Sequence, residues 1–110
     1  MVISPERTYL VDAPITDSLD GKFRRNKDPQ ANLDYAYDWS TYLGEIFDTI
    51  AAVELLTTGV EVSNSSFDNT TVIVWVTGGT VEDTATIVCR ITTVGGRVDD
   101  RTIYLKIKDM

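Results

Sequence analysis

Residues 84–107 read TATIVCRITTVGGRVDDRTIYLKI, and their alternation decides the fold. Successive side chains of a strand point to opposite faces, so Ala85, Ile87, Cys89 and Ile91 share one face. Thr84, Thr86, Val88, Arg90 and Thr92 share the other. The returning segment sets Arg101, Ile103, Leu105 and Ile107 against Thr102, Tyr104 and Lys106. Both apolar sets fall on odd numbers, so opposed residues have an even sum and the connecting loop holds an odd number of residues. A three-residue loop combines a type I turn with a left-handed residue, a conformation Gly96 adopts without a Cβ clash. The glycine pair Gly95-Gly96 is thus explained by turn geometry alone.

Upstream, residues 33–39 alternate in the same way. Leu33, Tyr35, Tyr37 and Trp39 face one side, Asp34, Ala36 and Asp38 the other. This predicts a strand with an aromatic face, and burying each large ring contributes on the order of 2–3 kcal/mol. Ser40 to Glu45 fits a short turn or one helical turn closed by Gly44. From Asp48 to Leu56 the apolar positions fit either a helical stripe or a strand, and a strand over 49–56 is preferred because threonines and Val60-Glu61-Val62 follow. Ser63 to Asn69 reads as a polar loop. Val72 to Val76, an unbroken apolar run ended by Gly78-Gly79-Thr80, reads as a central strand with both faces covered. Strands at this spacing predict an all-β, antiparallel β-sandwich over residues 27–110.

Residues 1–26 read as an extended N-terminal arm. They carry Pro5 and Pro14, a polar run from Thr16 to Lys22, and short apolar islands that include Tyr9-Leu10-Val11, which suit either pairing with a neighbour's sheet edge or disorder in isolation. Its deletion is expected to leave a folded domain. Lys22, Arg24, Arg25 and Lys27 form the chain's only basic cluster, either a solvated linker or a dock for an acidic partner.

Composition narrows the function. The chain has 110 residues, a net charge of −7 and a single cysteine. An acidic surface disfavours nucleic acid and anionic membranes, no run approaches the roughly 20 apolar residues of a membrane span, and the start lacks a signal-peptide pattern. The lone Cys89 lies on the predicted core face, where it reads as a small buried hydrophobe. The sequence has no histidine, which removes Ser/His and Cys/His pairs and the commonest zinc ligand. Asp34 and Asp38 share a face about 13 Å apart, too far for a glycosidase carboxylate pair. The acidic pairs Asp99-Asp100 and Glu82-Asp83 would ligate calcium only if loops brought them together, and solvated loop charge is the simpler reading. No catalytic, cofactor or metal site is expected.

One ordered set of residues carries a resemblance. Lys27-Asp28-Pro29, Leu33-Asp34-Tyr35, Asp38-Trp39, Leu43, Ile50, Gly59, Val74-Trp75, Gly78-Gly79-Thr80, Cys89 to Thr93, Gly96-Arg97 and Asp100 to Ile103 together resemble a family of small tailed-phage virion proteins, the fiber-tail adaptors. The stretch Val81-Glu82-Asp83 departs from the glycine or small residues common there. The resemblance implies a non-enzymatic, immunoglobulin-like sandwich in the virion, assembled in the bacterial cytoplasm. It would sit in several copies around a tail ring and contact other tail proteins and the fiber. A capsid decoration protein of the same fold and a glycan-binding module are the alternatives. The residues expected to meet partners are Tyr9, Leu10, Val11, Arg24 and Arg25 in the arm, and Arg97, Asp99 and Asp100 near the hairpin turn.

Overall fold

The computed structural model describes residues 4–15 and 20–110. After a 3-10 turn at Pro5–Arg7 come β1 (Thr8–Leu10), β2 (Phe23–Lys27), β3 (Leu33–Asp38), α1 (Ser40–Ile46), β4 (Ile50–Thr58), β5 (Glu61–Phe67), β6 (Thr71–Thr77), β7 (Thr84–Thr93) and β8 (Val98–Ile107). They form two four-stranded sheets, ordered β1-β3-β6-β5 and β2-β8-β7-β4. The sheets enclose one core, and the architecture is β-sandwich-like.

The β7–β8 hairpin follows the alternation. Opposed pairs run from Thr84↔Lys106 to Thr92↔Val98, and Ala85, Ile87, Cys89, Ile91, Ile103, Leu105 and Ile107 are all buried. Thr93 N–H donates to the Arg97 carbonyl at 2.8 Å, which leaves Val94, Gly95 and Gly96 as a three-residue loop. Gly96 N–H returns to the Thr93 carbonyl, and Gly96 sits at φ +90°. Facing this hairpin, Tyr35 and Tyr37 of β3 project into the core with Val72, Val74 and Val76 of β6. The Tyr37 hydroxyl donates across the sandwich to the Ile87 carbonyl and accepts the Ile103 N–H at 3.3 Å, joining the two sheets directly.

Several expectations are corrected. The sheets are mixed, because β1 runs parallel to β3 and β2 parallel to β8. Parallel neighbours need long connections, and these pairs are joined through much intervening chain. The segments before Lys27 do not stand apart as an arm among the described residues. They supply an edge strand to each sheet, with Val11 and Phe23 in the core and Arg7 bonded to Asp34 at 3.0 Å. Of Ser63 to Asn69 only Asp68 and Asn69 lie in a loop, since β5 continues to Phe67 with every residue exposed. It escapes the periodicity because it has no face to bury. Gly44 lies inside α1, and Phe47 closes the helix in a left-handed conformation, its N–H bonded to the Leu43 carbonyl. In β6 only the face bearing Val72, Val74 and Val76 is buried, leaving Ile73 and Trp75 half-buried on the outside.

Lys27 ends β2 fully buried, and its Nζ donates to the carbonyls of Asp28 (2.9 Å) and Gly78 (2.8 Å). Burial lowers its pKa, and the neighbouring Asp28 charge opposes that shift. The bonds tie the Asp28-Pro29 turn to the Gly78-Gly79 turn. Gly79, at φ +115°, lies so close to Ile107 that a Cβ would meet its Cδ1 at 2.7 Å.

Candidate docking surfaces

At the hairpin end of the sandwich, Asp48 organises the turn. Its side chain is 6% exposed; Oδ1 accepts the N–H groups of Thr49 (2.9 Å) and Gly95 (3.1 Å), and Oδ2 pairs with Arg97 at 3.1 Å. The Thr93 hydroxyl, these two N–H groups and Arg97 outweigh burial and hold its carboxyl below the usual carboxylate range. Val94 N–H also donates to the Thr49 carbonyl, so the turn is anchored on two sides. Around this rigid base, apolar side chains are left in solvent: Phe47 is 97% exposed, Val94 71% and Val98 61%. Isolated exposed apolar residues are ordinary, and these three belong to the surface at or next to the loops that Asp48 joins.

Of the residues expected to meet partners, Arg97 lies in this surface, paired with Asp48. Asp99 is half-buried and pairs with Arg101 at 2.9 Å. Asp100, exposed, sits opposite Arg90 and pairs with it at 3.3 Å. Neither is assembled into a calcium site, and the described residues contain no group of three or more potential metal ligands. Arg101 also reaches Asp12 at 3.1 Å and lies over the rings of Trp39 and Tyr42, tying the first segment of the chain to β8.

The other expected residues lie along the β1–β2 side. Tyr9 stacks on Phe23 with centroids 5.0 Å apart, and Leu10 is exposed. Val11 is wholly buried, its N–H bonded to the Asp38 carbonyl, so it packs inward and is not available to a partner. Arg24 is exposed, paired with Asp20 and placed over the Tyr104 ring. Arg25 is half-buried, with its guanidinium 3.9 Å from the Phe23 centroid and its Nε donating to the Glu6 carbonyl. A groove of about 490 Å³ collects Arg24, Arg25, Tyr104 and Lys106 with Glu6 at one side. A cleft of about 240 Å³ places Tyr9 and Lys22 beside Asp100 and Arg101, so the two expected groups meet at one margin.

Asp48, Phe47 and Val94 were not singled out in the sequence. Asp48 is 47 positions from Gly95, and no local pattern links them. Val94 had a signal, an apolar residue at the tip of a glycine turn. Cys89 is fully buried, and burial pushes its thiol to about 12, the wrong direction for a nucleophile. No helix among the described residues is long and apolar enough to cross a membrane.

Together these features define a small β-sandwich whose accessible chemistry lies on loops and strand edges, the usual places of attachment to other proteins. The chain belongs to the family described as podophage GP4 fiber-tail adaptor protein gp77, whose model matches residues 27–106. It is a phage structural protein of the adaptor kind. No curated protein matches the chain.

Proposed function

We propose that this chain joins tail fibers to the phage tail by protein–protein docking, as an immunoglobulin-like sandwich present in several copies. The family match, which spans the sandwich from the end of β2 nearly to the end of β8, carries the reading. The two four-stranded sheets agree with an immunoglobulin-like arrangement, with the parallel edge pairs β1–β3 and β2–β8 as departures from an all-antiparallel one. The end bearing Phe47, Val94, Val98 and Arg97 supplies one docking surface, with apolar area for affinity and a guanidinium for orientation. The β1–β2 side, with Leu10, Arg24 and Arg25, supplies another. Other virion proteins are the partners, and assembly takes place in the bacterial cytoplasm before release.

A density map of the intact virion tests this. The chain is expected at the tail in tens of copies, with the Phe47 end or the β1–β2 side against a different protein. Hundreds of copies on the head lattice would make it a decoration protein, and absence from the virion would end the reading.

A further inference from the structure

Alternation orders the outer face of the β2-β8-β7-β4 sheet as well as its inner one. Phe23, Ile103, Leu105 and Ile107 point into the core, so Arg24 and Asn26 of β2 and Tyr104 and Lys106 of β8 point outward. The register sets Arg24 beside Tyr104 and Asn26 beside Lys106, and Thr84 of β7 flanks Lys106 on its other side. These side chains form two rows across the strands, two positions and therefore about 7 Å apart. With Glu6 and Arg25 they line the groove of about 490 Å³.

The charge of this groove runs against that of the chain. Net charge is −7, yet among the described residues the lining carries Arg24, Arg25 and Lys106 against Glu6 alone. The Tyr104 ring holds two cations in place, with the Lys22 Nζ 5.0 Å and the Arg24 guanidinium 5.1 Å from its centroid. A ring face orients a cation without cancelling its charge. Lys22 pairs with no carboxylate among the described residues. Arg24 and Lys106 meet Asp20 and Glu82 in exposed pairs, which exchange at little cost. Arg25 is held against the Phe23 ring and the Glu6 carbonyl.

We propose that this groove binds an extended acidic segment of a partner virion protein, one carboxylate meeting Lys22 and Arg24 and the next-but-one side chain, also a carboxylate, meeting Lys106. Alternate side chains of an extended chain share a side and stand about 7 Å apart, which is the spacing of the two rows. A lone phosphate or sulfate reaches only one row. A nucleic-acid strand has a comparable spacing of charges, but the net charge of the chain repels it. Asn26 and Thr84 supply an amide and a hydroxyl between the cations, suited to the peptide groups of the segment. The inference deepens the adaptor reading, on which it rests for the partner being a virion protein, by naming the chemistry that this side recognises.

The probe is a synthetic peptide in which glutamate and threonine alternate. Its comparator has the same composition, with glutamates in adjacent pairs separated by pairs of threonines, so that no two glutamates stand two positions apart. Titrated at low salt into the isotope-labelled full chain, the alternating peptide should shift the amide resonances of Arg24, Asn26, Thr84 and Lys106 and bind more tightly than the comparator. Reversing two charges, Arg24→Glu with Lys106→Glu, should weaken that binding about tenfold or more. Circular dichroism checks folding, and Lys22→Glu at an exposed position replaces the double variant if that one does not fold. Equal binding of the two peptides would reduce the groove to diffuse attraction between charges and overturn the inference, as would binding that survives the reversed charges. Tighter binding of an oligothymidylate of equal charge would make this a nucleic-acid site and overturn it too. Each of these results leaves the adaptor reading standing, because that is decided by the chain's place in the virion.

Discussion

Tyr35 and Tyr37 sit two residues apart on one face of β3 and meet different fates. Tyr37 gives its hydroxyl to the Ile87 carbonyl and takes the Ile103 N–H, whereas the buried Tyr35 hydroxyl has no hydrogen-bond partner among the described residues. Burial raises the Tyr35 pKa to about 12. Removing a satisfied hydroxyl strands its partners, so Tyr37→Phe is expected to cost about 1–3 kcal/mol in urea unfolding. Tyr35→Phe should be neutral or stabilising, since an unpaired polar group leaves the core. Equal losses in the two variants would contradict this account. Asp48 gives a pH signature. Its folded pKa lies below the ordinary 3.8, so the unfolded chain binds more protons between the two values, and stability there rises with pH. The contribution is therefore complete above the unfolded value and lost as pH falls through the folded one. The stability gap between wild type and Asp48→Asn should be full at neutral pH and narrow below about pH 4 in thermal melts. A gap constant with pH would show that the charge of Asp48 is not what holds the turn.

At the scale of elements, the first strands carry more weight than their composition suggests. Deleting residues 1–26 removes β1 and β2, takes Val11 and Phe23 from the core and bares the β8 edge. The two side chains alone represent roughly 3–6 kcal/mol of burial, comparable with the whole stability of a small domain. The truncated chain is expected to lose its cooperative thermal transition, and a sharp transition near the wild-type midpoint would return these residues to the status of a detachable arm. The hairpin was legible because period-two alternation fixes both face and register, and its loop length followed from parity. β3 was legible for the same reason. β5 was not, since seven exposed residues leave no pattern to read. Nor were the parallel edge pairings, because alternation says which face a residue takes and nothing about which strand lies alongside. The end of α1 was not legible, because it falls at Phe47, an apolar residue that carries no local stop signal and yet is exposed in a left-handed conformation. The Asp48 anchor and the Arg7–Asp34 bond join residues distant in sequence, and they arise only once the sheets have packed.

For the whole molecule, the docking proposed at the hairpin end would make a demand opposed to that of stability. Phe47 holds a left-handed conformation that costs a residue with a Cβ on the order of 1 kcal/mol, and with 97% of its surface in solvent it recovers nothing from the core. A glycine there would keep the N–H bond to the Leu43 carbonyl that caps α1 while removing the strain. Folding alone therefore gives no reason for phenylalanine, whereas the proposed contact with a neighbour would. Phe47→Gly is expected to keep or slightly raise the melting temperature while lowering the number of copies per particle, counted by mass spectrometry of virions assembled with the variant as the sole copy. A lower melting temperature would mean that the ring stabilises the fold in some way its exposure does not reveal. Unchanged copy number and normally attached fibers would remove this end from the docking surfaces and leave attachment to the strand edges.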